Sequence, residues 1–148
     1  MTSNIAQTIN MSASLQDLIS GLVELEDDAL TELAVPVTGI KIDSRKLVSG
    51  DLFIAYFGRN HDARDYISTA LGHDVSAVLA ESGGEWQGFR IIRGKPVIAV
   101  DNLTAKISEI AARFYGRPSE SLTIFGITGT NGKTSCSQFM AQVLRAIG

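Results

Sequence analysis

The sequence contains a single cysteine, shows no excess of basic residues and has no long apolar run. With Cys136 alone, a disulfide framework and a cluster of thiolate metal ligands are both excluded. The 13 basic and 16 acidic residues give a net charge of −3, which is not the basic footprint of a nucleic-acid-binding protein. No apolar stretch approaches the roughly 20 residues of a transmembrane helix, and the first residues lack the basic and apolar segments of a secretory signal. These absences predict a cytoplasmic protein with no membrane span and no nucleic-acid partner.

What the sequence does contain is a regular alternation of strand and helix patterns. Its 148 residues, 45% of them hydrophobic, are enough for a domain with its own core. Short apolar, β-branched runs predict strands, and apolar residues at helical spacing predict helices. The predicted strands are 37–42, 52–57, 77–80, 91–92 and 96–100, and the predicted helices are 15–22, 63–71 and 103–114. Asp62 is the expected cap of the second helix, and Asp101 or Asn102 that of the third. The alternation is typical of an α/β sheet.

A segment that contains glycine and proline divides the chain near its end. We predict a domain over residues 14–116, a linker over 117–121 and a second unit over 122–148. The second unit reads as one buried strand at 122–127, a glycine-rich turn and one helix. Because a parallel strand needs neighbours, this unit is expected to be only the opening of a second domain.

The turn of that second unit has the residues of a phosphate-binding loop. Gly129 and Gly132 allow positive φ angles and a close approach of the backbone to an anion. The N–H groups at the start of the following helix form a donor nest, which the helix dipole makes attractive to negative charge. The Lys133 ammonium can reach the β- and γ-phosphates of a nucleotide, and the Thr134 hydroxyl can ligate Mg²⁺. The pattern therefore predicts ATP and magnesium as cofactors.

The spacing departs from the strict phosphate-loop pattern. A glycine expected at position 127 is replaced by Ile127, and Gly126 and Gly129 flank that position. The alternative is an ordinary glycine turn followed by a surface lysine. Strand, turn and helix patterns in the expected order favour the phosphate loop.

Several segments resemble the Mur ligases, which build the peptide of bacterial cell-wall precursors. Residues 128–134 (TGTNGKT) resemble their ATP loop, and residues 111–119 (AARFYGRPS) resemble the linker of the MurE branch. Residues 43–45 (DSR) and 50–55 (GDLFIA) resemble its N-terminal domain. The resemblance spans residues 14–148 and implies an α/β substrate domain followed by the first strand, phosphate loop and helix of a central ATPase domain. Since these ligases continue far beyond that loop, the chain is expected to be the first part of a longer enzyme.

The resemblance also implies site residues. The ATP contacts would be Gly129, Thr130, Asn131, Gly132, Lys133, Thr134 and Ser135, with Lys133 and Thr134 catalytic and Thr134 on the magnesium ion. The UDP end of the substrate would contact Ile42, Ser44, Arg59, Asn60 and His61. The family often opens the second of these loops with Gly-His-Gln or Gly-His-Thr and has glycine where Ala63 stands here, so this chain departs from it twice. From the residues alone, a plain turn at 43–44 and an exposed loop at 59–61 are favoured over ligand contacts.

The implied activity is that of an ADP-forming amide ligase in peptidoglycan precursor synthesis. It would add the third amino acid, diaminopimelate or lysine, to UDP-N-acetylmuramoyl-L-alanyl-D-glutamate through an acyl phosphate, and would act as a monomer. The alternatives are another Mur-like ligase, such as the MurF type or cyanophycin synthetase, and a non-catalytic module that binds uridine nucleotides. Thr130 and Asn131 disfavour the MurF type, which usually has two serines there. The family's modified lysine, further magnesium ligands and C-terminal domain have no counterpart here, so these 148 residues alone are expected to turn over little ATP.

Overall fold

The computed structural model describes residues 12–24, 31–58 and 61–147. It divides into two compact units, Met1–Arg117 and Pro118–Gly148. The first unit contains ten helices and strands among its described residues: β1 Ala13–Ser14, α1 Leu15–Ile19, β2 Pro36–Val37, β3 Gly39–Lys41, β4 Asp51–Ala55, α2 Ile67–Leu71, β5 Ala77–Glu81, β6 Phe89–Ile92, β7 Lys95–Val100 and α3 Leu103–Phe114. The second contains α4 Lys133–Ile147, and short 3₁₀ turns lie at Ser44–Lys46, Ala63–Tyr66 and Pro118–Glu120.

A five-stranded sheet organises the first unit, in the order β3-β4-β5-β7-β6. The first four of these strands run parallel, and β6 pairs antiparallel with β7. Every residue of β4 is buried, as expected for a central parallel strand that is covered on both faces. The predicted α/β sheet is therefore confirmed.

Alternate residues of the central strands fill two separate cores. Leu52 and Ile54 of β4 belong to the core beneath α1 and α3, whereas Phe53 and Ala55 belong to the core beneath α2. This division follows from the two-residue period of a strand, which sends successive side chains to opposite faces.

Helix α3 also holds the short helix α1 in place. The Arg113 Nη1 atom donates hydrogen bonds to the carbonyl oxygens of Asp17, Leu18 and Ser20, at 3.3, 3.2 and 2.7 Å. These carbonyls lie at the C-terminal end of α1, where no intrahelical donors are available. Helix α1 ends at Ile19 rather than at residue 22, and Gly21 adopts a φ of +68° just after it.

The predicted cap of α3 is wrong, because a side chain from another element caps that helix. Asn102 has a left-handed backbone (φ +52°) and makes no side-chain hydrogen bond to the helix. Glu81, the last residue of β5, instead accepts from the N–H groups of Leu103 and Thr104 at 3.0 and 3.3 Å. Asp62 does cap a helical turn, but it is the 3₁₀ turn at Ala63–Tyr66 that precedes α2.

The predicted strand at 122–127 is also wrong, since the structure has no strand there. Its apolar side chains Leu122, Ile124 and Phe125 are more than half exposed. A strand forms only when its backbone groups bond to a neighbouring strand, and residues 122–127 have no such partner among the described residues. Within the described part of the chain, no helix is both long and apolar enough to cross a membrane.

Candidate functional site

Two glycines of the turn in the second unit have positive φ angles, a conformation that is common in phosphate-binding loops. Gly129 has a φ of +140° and Gly132 a φ of +76°, both in the region that disfavours side chains. A Cβ atom added at Gly132 would meet nothing within 4 Å, so conformation rather than space favours glycine there. Helix α4 begins directly afterwards, and the Cys136 N–H closes its first turn onto the Gly132 carbonyl at 2.9 Å.

The functional groups of this turn are concentrated at the N-terminus of α4. Helix geometry leaves the N–H groups of Lys133, Thr134 and Ser135 without an intrahelical acceptor. The Lys133 side chain bends back over the turn, and its Nζ atom donates to the Gly129 carbonyl at 2.6 Å. This region thus combines a set of N–H donors, the positive end of a helix dipole and a lysine cation, which together suit a polyphosphate.

A second site lies in the first unit, at the carboxyl ends of β3 and β4. A cavity of about 430 Å³ opens there, and it is lined by Ile42, Asp43, Ser44, Arg45, Phe53, Tyr56, His61, Ala63 and Tyr66. This is the edge of a parallel sheet at which ligands usually bind. The cavity brings together Ile42, Ser44 and His61, three of the residues implied to contact UDP. The other two, Arg59 and Asn60, lie outside the described residues.

An ion pair fixes the turn that presents Ser44 to this cavity. The Arg45 Nε and Nη2 atoms donate to the two carboxylate oxygens of Asp43, each at 2.9 Å, and the Arg45 N–H donates to the same carboxylate at 3.1 Å. The side-chain hydrogen bond from Arg45 is the main cause that lowers the pKa of Asp43 to about 2. At neutral pH Asp43 is therefore ionised and its carboxylate is already paired. The turn is stabilised by its own side chains, as a plain turn would be, and it also forms a cavity wall.

Aromatic side chains also line the cavity. The rings of His61 and Tyr66 stack with centroids 5.2 Å apart and planes inclined by 28°. Tyr56 lines the same space, immediately after β4. Aromatic faces of this kind can stack on a planar base whatever its pattern of hydrogen-bonding groups.

Most of the first unit matches a known protein family. The sequence profile of the Mur ligase family, catalytic domain, matches residues 36–115, which is more than half of the 148 residues. The chain belongs to the Mur ligase family. The match covers every strand of the five-stranded sheet and the whole of the second cavity.

Curated relatives within this family carry the MurE name. The UDP-N-acetylmuramoyl-L-alanyl-D-glutamate–2,6-diaminopimelate ligase of Coxiella burnetii is 48% identical over 131 residues, which are 88% of this chain and 26% of that protein. The ligase of the same name from Pseudomonas aeruginosa is 45% identical over 109 residues, covering 74% of this chain and 22% of that protein. The resemblance to the MurE branch is confirmed. The chain spans about a quarter of the length of these relatives.

Solved structures of Mur ligases share the fold. A structure of a UDP-N-acetylmuramoyl-L-alanyl-D-glutamate–2,6-diaminopimelate ligase aligns with 92% of this chain and 26% of its own length, at a TM-score of 0.64 and 23% identity. The UDP-N-acetylmuramoylalanyl-D-glutamyl-2,6-diaminopimelate–D-alanyl-D-alanyl ligase of Acinetobacter baumannii aligns with 94% of this chain and 29% of its own length, at a TM-score of 0.63 and 17% identity. At these identities the likeness concerns the fold alone.

Six of the nine residues that line the second cavity were not predicted as site residues, and Tyr56, Tyr66 and Arg45 are the polar or aromatic ones most able to contact a ligand. Tyr56 was assigned to a strand and Tyr66 to the apolar face of a helix, so neither was considered as a ligand contact. Arg45 was noted only as part of the family resemblance. A usable signal existed, because Tyr56 directly follows a buried strand and therefore lies at the ligand edge of a parallel sheet.

Proposed function

We propose that this chain supplies the UDP-binding part and the opening of the ATP-binding part of an ADP-forming amide ligase. The reaction joins diaminopimelate to UDP-N-acetylmuramoyl-L-alanyl-D-glutamate, as the names of its relatives state. The observation that carries the proposal is 48% identity, over 88% of the chain, to a protein with that name. The proposed enzyme acts as a monomer in the cytoplasm and uses ATP and magnesium.

The phosphate loop fits the proposed cofactors. Positive φ angles at Gly129 and Gly132 leave the backbone able to wrap an anion. Thr134 supplies a hard hydroxyl oxygen, the type of ligand that Mg²⁺ prefers. Mg²⁺ is commonly held by phosphate oxygens together with a small number of protein oxygens, and Thr134 is proposed as one of these.

ATP supplies the phosphoryl group that turns a substrate carboxylate into an acyl phosphate with a good leaving group. The proposed task of residues 129–135 is to bind and orient the triphosphate through backbone N–H groups. Lys133 would exchange its hydrogen bond with the Gly129 carbonyl for phosphate oxygens, where its charge stabilises the transition state. Thr134 would keep its hydroxyl directed at the metal.

The second cavity is proposed to hold the uridine end of the substrate. Ser44 offers a hydroxyl from a rigid turn, and His61, Tyr56 and Tyr66 offer ring surfaces. Ile42 adds an apolar contact. Arg59 and Asn60 are retained as proposed contacts, on the strength of the family resemblance.

Titration calorimetry of the 148-residue chain with UDP tests this cavity. We expect saturable binding that Ser44→Ala weakens, because the variant removes the hydroxyl of a residue that lines the cavity. The matched control is Ser49→Ala, since the Ser49 hydroxyl donates to Asp74 and lies outside the cavity. No heat at millimolar UDP would refute the proposed role of the first unit. Binding of UDP, together with the absence of any ATP effect in a full-length ligase, would favour the non-catalytic module.

A further inference from the structure

Arg64 makes an unusually complete set of contacts just outside the second cavity. Its Nε and Nη2 atoms donate to the Asp62 carboxylate at 2.8 and 2.7 Å, and its Nη1 atom donates to the carbonyl oxygens of Glu81 and Gly83 at 3.3 and 3.2 Å. The guanidinium carbon also lies 5.2 Å from the centre of the Phe57 ring. The side chain is only 18% exposed. One planar fork therefore joins the loop after β4 to the end of β5.

The loop that Arg64 fixes is closed at its base by backbone contacts. Phe57 and Asp62 form an isolated antiparallel bridge. The Gly58 N–H donates to the His61 carbonyl at 2.9 Å, and the Ala63 N–H donates to the Tyr56 carbonyl at 3.2 Å. Arg64 bonds to Asp62 on one side of this base and to the carbonyls of Glu81 and Gly83, so its guanidinium links the base of the loop to the end of β5.

This loop carries one wall of the cavity proposed for uridine. His61 belongs to the loop, and Tyr66, on which its ring stacks, lies two residues after Arg64. Arg64 itself does not line that cavity. We propose that Arg64 is a positioning residue for uridine binding: through Asp62 and the end of β5 it holds the His61–Tyr66 stack in place. The inference rests on the proposed function of this cavity.

A role as a ligand contact is less well supported. Arg64 also lines an open groove of about 590 Å³ beside Trp86 and Arg93. However, most of its N–H groups already donate to protein acceptors, so binding an anion there would require breaking those bonds. A simple surface ion pair does not describe the site either. Such pairs join two exposed side chains and stabilise little, whereas this fork bonds to two backbone carbonyls of a neighbouring strand end.

The test compares Arg64 with a matched arginine elsewhere. Arg64→Lys keeps the charge but loses the planar fork, and Asp62→Asn weakens the same contact from the other side. Arg113→Lys is the control, because Arg113 is similarly buried (23% exposed), also donates to backbone carbonyls and contacts no residue of the cavity. For each chain, UDP affinity is measured by calorimetry, thermal unfolding by circular dichroism, and the His61 ring proton shifts by NMR.

We expect Arg64→Lys to raise the Kd for UDP about tenfold. This is the change expected if the variant loop adopts its binding conformation in about a tenth of the molecules. The His61 ring shifts should move towards those of an unstacked ring even without UDP. Arg113→Lys should lower the unfolding temperature but leave the Kd and the His61 shifts unchanged. Arg64→Ala should bind UDP no better than Arg64→Lys, and if it does not fold, Arg64→Lys and Asp62→Asn decide the matter.

The outcomes separate this inference from the proposed function. If the unaltered chain binds UDP and both Arg64→Lys and Asp62→Asn bind it equally well, the positioning role is refuted while the uridine site stands. If Arg113→Lys weakens UDP binding as much as Arg64→Lys, the effect is general loosening and the positioning role is again refuted. If the unaltered chain does not bind UDP at all, the uridine site and this inference both fail.

Discussion

The cap of helix α3 gives the most direct test of the packing between the sheet and that helix. Glu81 reaches from the end of β5 and accepts from two N–H groups at the N-terminus of α3, and its carboxylate lies 3.5 Å from the Thr104 hydroxyl. Glu81→Ala removes these acceptors and leaves the helix end uncapped. Because the backbone carbonyl of Glu81 accepts from Arg64 in either case, the substitution addresses the cap alone.

The expected cost follows from two contributions. Loss of a cap costs typically about 1 kcal/mol, and loss of a negative charge at a helix N-terminus costs about 0.3–1 kcal/mol more. Glu81→Ala should therefore lower the free energy of unfolding by about 1.5 kcal/mol. For a unit of roughly 100 residues, this corresponds to a fall of about 6–12 °C in Tm. Glu81→Gln keeps a neutral acceptor and should cost about 0.5 kcal/mol.

Urea unfolding, followed by the fluorescence of Trp86 and by circular dichroism, measures these differences. Trp86 is the only tryptophan, and it is partly buried against the core beneath α2. The control is Asp101→Asn, which removes an exposed acidic charge close to the same helix end, and it should stay within about 0.5 kcal/mol of the parent chain. If Asp101→Asn cost more than Glu81→Ala, the helix would be capped by the residues directly before it, and the cap from Glu81 would be wrong.

Three further predictions concern the sites. In a ligase extended to the full length of its relatives, Lys133→Ala should lower kcat/KM, measured by steady-state kinetics, by roughly 10²–10³-fold. The affinity for the UDP substrate, measured by calorimetry, should change little. An unchanged kcat/KM would contradict the proposed role of Lys133. In the same enzyme Thr134→Ser should be mild and Thr134→Val severe, since only valine removes the oxygen; wild-type turnover by Thr134→Val at limiting magnesium would remove Thr134 as a metal ligand. The side-chain hydrogen bond from Arg64 lowers the pKa of Asp62. The ionised Asp62 carboxylate therefore stabilises the folded chain above about pH 4, and this stabilisation is lost as the pH falls further. The difference in urea midpoint between the parent chain and Asp62→Asn should therefore narrow below pH 4, and a constant difference would contradict it.

The sheet could be predicted from the sequence because each central strand is a short, continuous run of apolar residues. Residues 52–55 and 77–80 are continuous apolar runs, and every one of these residues is buried in the structure. Complete burial on both faces requires parallel neighbours, so composition and topology point to the same arrangement. The order of the strands was not predictable in this way, since it depends on long-range pairing that no local pattern records.

The cap of α3 shows why local rules fail at particular positions. Asp101 and Asn102 stand where a cap is expected, but Asn102 adopts a left-handed backbone and turns the chain from β7 into α3. The acceptor comes instead from a residue 22 positions earlier in the chain. Two residues of the segment 111–119, which resembles the MurE linker, also make contacts far away in the sequence. Arg113 donates to the end of α1, and Phe114 is buried in the core beneath α1 and α3.

The phosphate loop and the strand before it show the same division between local and non-local determinants. The positive φ angles of Gly129 and Gly132 and the start of α4 at Lys133 agree with the predicted glycine turn and helix, because these features depend mainly on nearby residues. That this turn binds phosphate stays a prediction. The strand at 122–127 was not predicted correctly, because an apolar β-branched run becomes a strand only when another strand satisfies its backbone groups. The exposed side chains of Ile124 and Phe125, and those of Phe139, Val143 and Ile147 on α4, are apolar surface of the kind that a neighbouring sheet or helix normally covers. If residues 129–135 bind a polyphosphate as proposed, a loop that takes this conformation without a preceding strand would present its N–H donors in advance, which would lower the cost of binding.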